Sequence, residues 1–353
     1  MSQKRCYSLD ALKVFATILI VFHHYQQMTG AYFEHGINYF GGKFYFGYIV
    51  ELFFVLSGYF MFKYIERIKN GLHFKQFYLA RMQRLLPLVM ISAICYEILL
   101  ICYEKVFQQT YFDIKPTLWG TIIDSLGVQT GWVFAEPFVN APTWYISVLF
   151  LCYATFYLVT FLSQKLHISS RYLYVAMILL GCSINTFGIN LPFFNNQSSR
   201  GFYSFFAGIL LSTYFYEKKT SWKECLISFL VSVFLIFCIV FHYDFVENGL
   251  VYLLTFCLYP SIIILFQSPI ISNLFSSRFW GKWGEFSFDV YIWHNLLFIA
   301  MFLILRFLNR TPDFNKHSNM YLFCLIAEIV GLFSYLLIER PVNKYISRQK
   351  EVK

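Results

Sequence analysis

Charge is what this sequence has least of. Asp, Glu, Lys and Arg make up 13% of its 353 residues, about half the ~25% of a soluble domain. A water-soluble globular fold is thereby excluded. Paired cysteine spacing is missing too. The nine cysteines are odd in number and include no CxxC, so neither a disulfide framework nor a cysteine zinc site is encoded. Most of them, Cys95, Cys152, Cys238 and Cys324 among them, lie inside apolar runs and read as small buried hydrophobes. There is no Walker loop, no GxGxxG and no His/Cys/Asp/Glu cluster at metal-ligand spacing. No internal repeat of the kind many transporters carry is visible. No metal is therefore expected.

Hydrophobic residues, at 58%, fill what the charges leave. Apolar runs near twenty residues recur along the whole length, which predicts an all-α polytopic membrane protein. Residues 1–353 form one domain, with no room for a sizeable second one. We place about ten transmembrane helices, at 9–28, 44–64, 85–103, 143–163, 171–188, 200–216, 222–241, 249–267, 285–307 and 320–339. With that count, 21 of the 28 Lys and Arg fall on one side, Lys4, Lys219 and Lys353 included. The positive-inside rule then puts both termini in the cytoplasm. The net charge of +9 is thus a topology signal and a reserve of cationic sites on one face, and no nucleic-acid partner is expected. The first span carries Asp10 and Lys13 and lacks a small-residue cleavage site, so it is not a cleavable signal peptide. The longest connection, 104–142, contains "PTLWGTIIDSLGVQTGW", which reads as an amphipathic or re-entrant piece.

The first span, "LDALKVFATILIVFHHY", holds a basic residue at one end and histidines near the other. Lys13 and His24 are 11 residues apart, so they differ by about 20° in azimuth and about 16 Å along the axis. Asp10 lies on the same stripe, whereas His23 points about 100° away. An ionisable group at such depth is a functional candidate, although a histidine packed against a neighbouring helix satisfies the same pattern. In "FYLARMQRLLP", Arg81 and Arg84 share a helix face, which suits a phosphate or pyrophosphate. Snorkelling at the membrane boundary is the alternative.

Counting from the basic end of each span, His24, Glu51, Glu97, His294 and Glu328 all fall roughly 17–20 Å in, just past the middle of a core about 30 Å thick. Such groups pair with one another or line a polar cavity. An imidazole near a carboxylate is the usual kit of a general base, and Glu–His pairs that merely lock helices are the competing reading. Ser57 and Gly58 in "ELFFVLSGYF" are small residues that let helices approach closely. Trp144 opens the fourth span at the interface.

Together, "LDALK" with His24 beyond it, "ELFFVLSGY", "RMQR" before Pro87, "TWYISVLF", "SFDVYIWHN" and "IERP" occur in one order over nearly the whole chain. In this the sequence resembles the membrane-bound acyltransferase 3 family, least so over 165–275. Lys13 stands where many members have Arg, keeping the charge and losing the bidentate fork. The resemblance implies an integral membrane O-acyltransferase in the cell membrane, the bacterial cytoplasmic membrane by preference. It would move an acetyl or similar small acyl group from cytoplasmic acyl-CoA, acetyl-CoA first, to a hydroxyl of a cell-surface or lipid-linked glycan. It makes His24 the catalytic histidine, with Glu328 or else Glu51 orienting it, and has Lys13, Arg81 and Arg84 handle the donor. His294 and Trp144 are then candidates for holding the acceptor. Some members carry an extra C-terminal esterase-like domain; this chain stops after its last span and reads as a stand-alone enzyme. Direct transfer and an acyl-histidine intermediate both stay open. The competing class is a secondary transporter or flippase of lipid-linked sugars that uses the same ionisable layer.

Overall fold

The computed structural model describes residues 5–132, 139–216, 218 and 220–351, with side chains as far as 346. The basic residues Lys4, Lys219 and Lys353 lie outside the described residues. The described chain is helical throughout, with two isolated β-bridges, Tyr111–Ile114 and Leu191–Phe194. The helices are α1 (Tyr7–Thr29), α2 (Ile49–Tyr59), α3 (Phe62–Lys69), α4 (Phe74–Phe107), α5 (Leu118–Leu126), α6 (Trp144–Lys165), α7 (Ser170–Thr186) and α8 (Asn196–Phe215). They continue as α9 (Trp222–Phe241), α10 (Tyr243–Val246), α11 (Leu250–Leu253), α12 (Tyr259–Phe266), α13 (Pro269–Leu274), α14 (Arg278–Phe307), α15 (His317–Ser334) and α16 (Arg340–Glu351).

Every expected span coincides with helix, but the helices differ in how well they suit lipid. Six are long and apolar enough to cross a membrane: Phe74–Phe107, Ala141–Lys165, Trp222–Phe241, Tyr243–Phe266, Arg278–Phe307 and His317–Ile346. The expected span 44–64 is a broken one. A 3-10 turn, Phe46–Tyr48, leads into α2, and α3 then departs at 40°. Helices α1, α7 and α8 fall outside this set, α7 because it has only 17 residues. Helices α1 and α8 carry Asp10, Lys13, His23, His24 and Arg200, and both are largely buried. Polar residues collect on the helices that other helices cover, because only there is the cost of removing them from water offset by partners.

The lipid-facing helices show the reverse pattern. On α9, Ile227, Leu230, Phe234 and Phe237 are exposed while Ser228 and Ser232 are buried. Helix α5 is built the same way: Leu118, Trp119 and Ile122 are exposed, and Thr121 and Asp124 are buried. The outside is apolar and the small polar groups face inward, which is how helices associate when lipid supplies no hydrophobic drive between them.

Close packing is set by glycine. A methyl group on Gly58 of α2 would collide with the Phe205 carbonyl of α8, and one on Gly208 of α8 would collide with the Val55 carbonyl of α2. The two backbones touch at reciprocal positions. Ser57, beside Gly58, spends its hydroxyl on Tyr145 Oη at 3.0 Å. Helix α4 runs 34 residues straight through Pro87, about 51 Å at the α-helical rise. That is longer than a hydrocarbon core of about 30 Å, so Arg81 and Arg84 ride on an extension of a membrane helix. Two π-helical segments interrupt the late spans, Leu254–Leu258 and Tyr335–Glu339.

Candidate active site

Two cavities meet at Tyr291. The larger, about 1850 Å³, is lined by Lys13, Lys63, Arg81, Arg84, Lys218 and Arg340, with Arg5, Asp10, Glu285 and Glu339. The α2–α3 break borders it through Tyr59, Phe60, Met61 and Phe62, so the interruption of that span opens space for the cavity. The smaller, about 230 Å³, is lined by His23, His24, Gln27, Tyr45, Thr130, Trp144, Gln197, Arg200 and Asn295. Tyr291 lines both. Around it, Phe53, Tyr145 and Tyr291 form a three-ring partition with centroids 5.7–6.2 Å apart. The Tyr291 hydroxyl donates to the Pro142 carbonyl at 2.6 Å, and Tyr145 Oη to that of Phe53 at 3.3 Å.

His24 sits in the smaller cavity with its Nδ1 3.1 Å from the Ile20 carbonyl and 3.0 Å from His294 Nε2. His294 Nδ1 in turn lies 2.6 Å from the Tyr291 carbonyl. A carbonyl oxygen only accepts, so His294 Nδ1 carries a proton and the Nε2 of a neutral His294 carries a lone pair. His24 Nδ1 therefore faces two acceptors and is an N–H. This assignment rests on hydrogen-bond partners. It leaves the Nε2 of a neutral His24 as a lone pair with no protein partner among the described residues. Such a nitrogen is placed to accept a proton from a group in the cavity. His23 is turned aside, with its Nδ1 2.9 Å from the Tyr39 carbonyl.

The end of α1 also builds the wall beside His24. Gln26, fully buried, accepts at Oε1 from the backbone N–H of Tyr39 and Phe40 and donates to Asn38 at 2.7 Å. It thereby fixes the segment that delivers Tyr45. From the other direction Asp124 Oδ2 accepts from the N–H of Val139 and Asn140 at 2.8 and 2.7 Å, anchoring the stretch before Pro142 and Trp144.

The expected ionisable layer divides. His24 and His294 meet. Glu51 is not beside His24: it forms a bidentate pair with Arg200, Nε–Oε1 2.6 Å and Nη2–Oε2 3.0 Å. Only its partner reaches the cavity. The reason is that α2 and α8 touch at Gly58 and Gly208, which brings an arginine, the stronger partner for a buried carboxylate, within reach. Glu328 is not beside His24 either. Its Oε2 accepts from Trp283 Nε1 at 2.7 Å, and it lines neither cavity. The ionisable side chain within hydrogen-bond distance of His24 Nδ1 is a second histidine rather than a carboxylate. Glu97, on α4, keeps Oε2 without a hydrogen-bond partner.

At the larger cavity the three expected cations come together but are not alike. Arg84 is exposed and makes no hydrogen bond or ion pair among the described residues. Arg81 is buried, with its guanidinium 4.1 Å from the Tyr64 ring and 3.7 Å from that of Phe77, and it donates to the Phe77 carbonyl. Lys13 is 3.1 Å from Asp10, which also holds Arg5 at 2.6 Å. Sequence reasoning missed Arg5, Arg200, Asn295 and Thr130 as site residues. It gave no role to Glu339, which lines the larger cavity. Among the described residues no group of His, Cys, Asp and Glu is arranged to hold a metal ion.

The family model for an acyltransferase domain matches residues 7–338, a span that includes Lys13, His24, Arg81, Arg84 and His294 and leaves Arg5, Glu339 and Arg340 of the larger cavity outside. The chain belongs to this acyltransferase family. Its model covers nearly the whole chain, and the apolar helices make the protein a multi-pass membrane acyltransferase. Nothing matches it among curated proteins or solved structures.

Proposed function

We propose that the protein moves a small acyl group, acetyl first, from cytoplasmic acyl-CoA to a hydroxyl of a cell-surface or lipid-linked glycan. The single observation that carries this reading is the shared Tyr291 wall between a cation-lined cavity and the cavity of His24. Cations at the larger cavity suit the phosphates of CoA, with Arg84 free to form charge-assisted bonds and Arg81 and Lys13 supplying positive charge nearby. The pantetheine arm then lies along the cavity towards Ser57, Tyr145 and Tyr291, and the thioester reaches His24 past the aromatic partition.

In the chemical step, His24 Nε2 takes the proton of the acceptor hydroxyl as its oxygen attacks the thioester carbonyl. A C–O bond forms and the C–S bond breaks. The imidazolium returns its proton to the departing thiolate, giving the O-acyl product and free CoA thiol. His294 receives the His24 Nδ1–H bond throughout and steadies the imidazolium, the part a carboxylate plays in the hydrolase triads. Glu51 acts at one remove by holding Arg200, and Trp144 offers its ring face to the acceptor.

Mass spectrometry of envelope glycans from cells with and without the protein tests the reading. Loss of one small acyl mass from a single glycan is expected. An unchanged glycan profile overturns it. A secondary transporter would also have cavities on two sides of a partition, and direct binding separates the classes: purified protein binds acyl-CoA, and the Arg81/Arg84 double alanine variant does not. Absence of acyl-CoA binding to the wild type supports the transporter.

A further inference from the structure

The seam between the last span and α14 holds polar groups that the reaction leaves unused. On α14, Glu285, Asp289 and Trp293 follow one another at i, i+4 and i+8 and so share one face. Opposite them stand Ser334 and the π-helical segment Tyr335–Glu339, and segments of that kind interrupt α-helices frequently at functional sites. Tyr335 Oη donates to Glu285 Oε2 at 2.8 Å, Ser334 Oγ to Asp289 Oδ1 at 2.7 Å, and Trp293 Nε1 to Ser334 Oγ at 2.7 Å. These three contacts each have a donor and an acceptor.

A fourth contact does not balance. The carboxyl groups of Asp289 and Glu339 lie within hydrogen-bond reach of each other, on residues 0% and 8% exposed. Asp289 Oδ1 is taken by Ser334, and Glu339 Oε1 by Asn343 Nδ2 at 3.2 Å. The other oxygen of each, Oδ2 and Oε2, is enclosed and receives no N–H or O–H. An ionised carboxylate only accepts, so two of them cannot bond, and two like charges in one enclosed place disfavour each other. The charged groups nearby offer no remedy. Glu285 holds Arg5, Asp10 holds Arg5 and Lys13, and Glu328 accepts from Trp283. Arg84 of α4 and Arg340 and Lys344 of α16 are exposed, and no cation among the described residues forms an ion pair with Asp289 or Glu339. A proton on one carboxyl group supplies the missing donor and removes one of the two charges.

We infer that Asp289 and Glu339 are a single proton-binding site, sharing one proton that fastens the last span to α14. Tyr335, Glu339, Arg340 and Asn343 line the larger cavity beside Glu285 and Ser287 of α14, so the fastened seam is a wall of that cavity. Folding takes up a proton at this pair, so raising the pH works against the contact. Once the proton is lost, two carboxylates face each other and the seam is pushed apart. The inference holds whatever the larger cavity binds.

Replacing either carboxyl by its amide tests this, because the amide N–H supplies the missing donor and does not titrate. Full-length wild type, Asp289→Asn and Glu339→Gln are compared in lipid nanodiscs, with no substrate present. As the pH is raised from about 6 to about 9, the folded-to-unfolded ratio of the wild type should fall by up to about ten-fold per pH unit more than that of either variant, one proton's worth. Thermal unfolding at each pH reads the difference. Infrared spectra give a second, direct readout. At neutral pH the wild type should show a protonated-carboxyl C=O band that shifts in D2O, fades at high pH and is missing from both variants, since one proton serves the two residues. Variants that keep the wild-type pH slope overturn the proposal, as does a wild-type spectrum with no band that both substitutions remove. Failure of both amide variants to fold also overturns it, because a donor of the same shape should be tolerated where a shared proton sits.

Discussion

The two cavities differ in almost every property that decides what enters them. The larger is about eight times the volume of the smaller and is bordered by Lys13, Lys63, Arg81, Arg84 and Arg340. The smaller is bordered by His23, His24, amides, hydroxyls and aromatic rings, and Arg200, the charged residue lining it among the described ones, is paired with Glu51. Under the proposed function the contrast suits two unlike substrates, a large polyanionic donor at the larger cavity and a smaller polar acceptor at the other. It also locates the chemistry. The partition of Phe53, Tyr145 and Tyr291 borders the larger space and His24 lines the smaller, with Tyr291 common to both. A base set among the cations could take up a proton only against their repulsion, because like charges disfavour an imidazolium; in the smaller cavity His24 is away from that cluster.

The strongest blow to this comparison falls at the meeting point. His24→Ala removes the imidazole whose Nδ1 is held by Ile20 and His294 and whose Nε2 is left without a protein partner among the described residues. A general base contributes about 10²–10⁴-fold, so transfer from acyl-CoA should fall by that factor at matched membrane abundance. His294→Ala should cost less. It leaves the base but lets its ring turn, and His294→Gln, which restores an acceptor for Nδ1–H, should recover part of the loss. Transfer that survives His24→Ala unchanged removes the catalytic assignment. Recovery that is equal in His294→Leu and His294→Gln removes the orienting role.

The next effect separates the two sides. Arg84→Ala should raise KM for acyl-CoA by about ten-fold, the lower end for a charge-assisted bond at an exposed site, and leave KM for the acceptor unchanged. Trp144→Leu should do the opposite, raising KM for the acceptor by about two- to ten-fold through loss of an aromatic face, with the donor unaffected. Steady-state kinetics with both substrates varied measures both. If either variant shifts both constants together, the cavities are not separate substrate sites.

How much of this was legible in the sequence follows from where each signal lives. The Lys13–His24 stripe sits within one helix, and helical periodicity alone places the two residues on one face. The pair Arg81 and Arg84 is equally local. What periodicity misses is partner choice between helices. Counting depth put His24, Glu51, Glu328 and His294 in one layer, but depth carries no azimuth. Which of them touch depends on the α2–α8 contact at Gly58 and Gly208 and on how α14 turns His294 towards α1. Arg200 carries no signal of a site in the sequence, because nothing near it names Glu51, 149 positions earlier. The broken span at 44–64 hid for another reason. Its apolar run continues through Phe60–Phe62, and no proline or glycine marks the bend beyond Gly58.

Glu328 gives the smallest expected effect and the sharpest test of that lesson. By depth it belongs with His24; by contact it belongs to Trp283, eleven residues earlier on α14 than His294 and so about 16 Å from it along that helix. Glu328→Gln keeps the shape and can still accept from the indole N–H, so transfer should stay within about two-fold of wild type. Trp283→Phe, which removes the donor, should affect thermal stability more than rate. A loss of transfer in Glu328→Gln as large as that of His24→Ala would show that depth was the better guide, and that the cavity of His24 extends in some working state to a carboxylate now bonded elsewhere. A near-normal rate assigns the orientation of the base to contact geometry, and with it to His294.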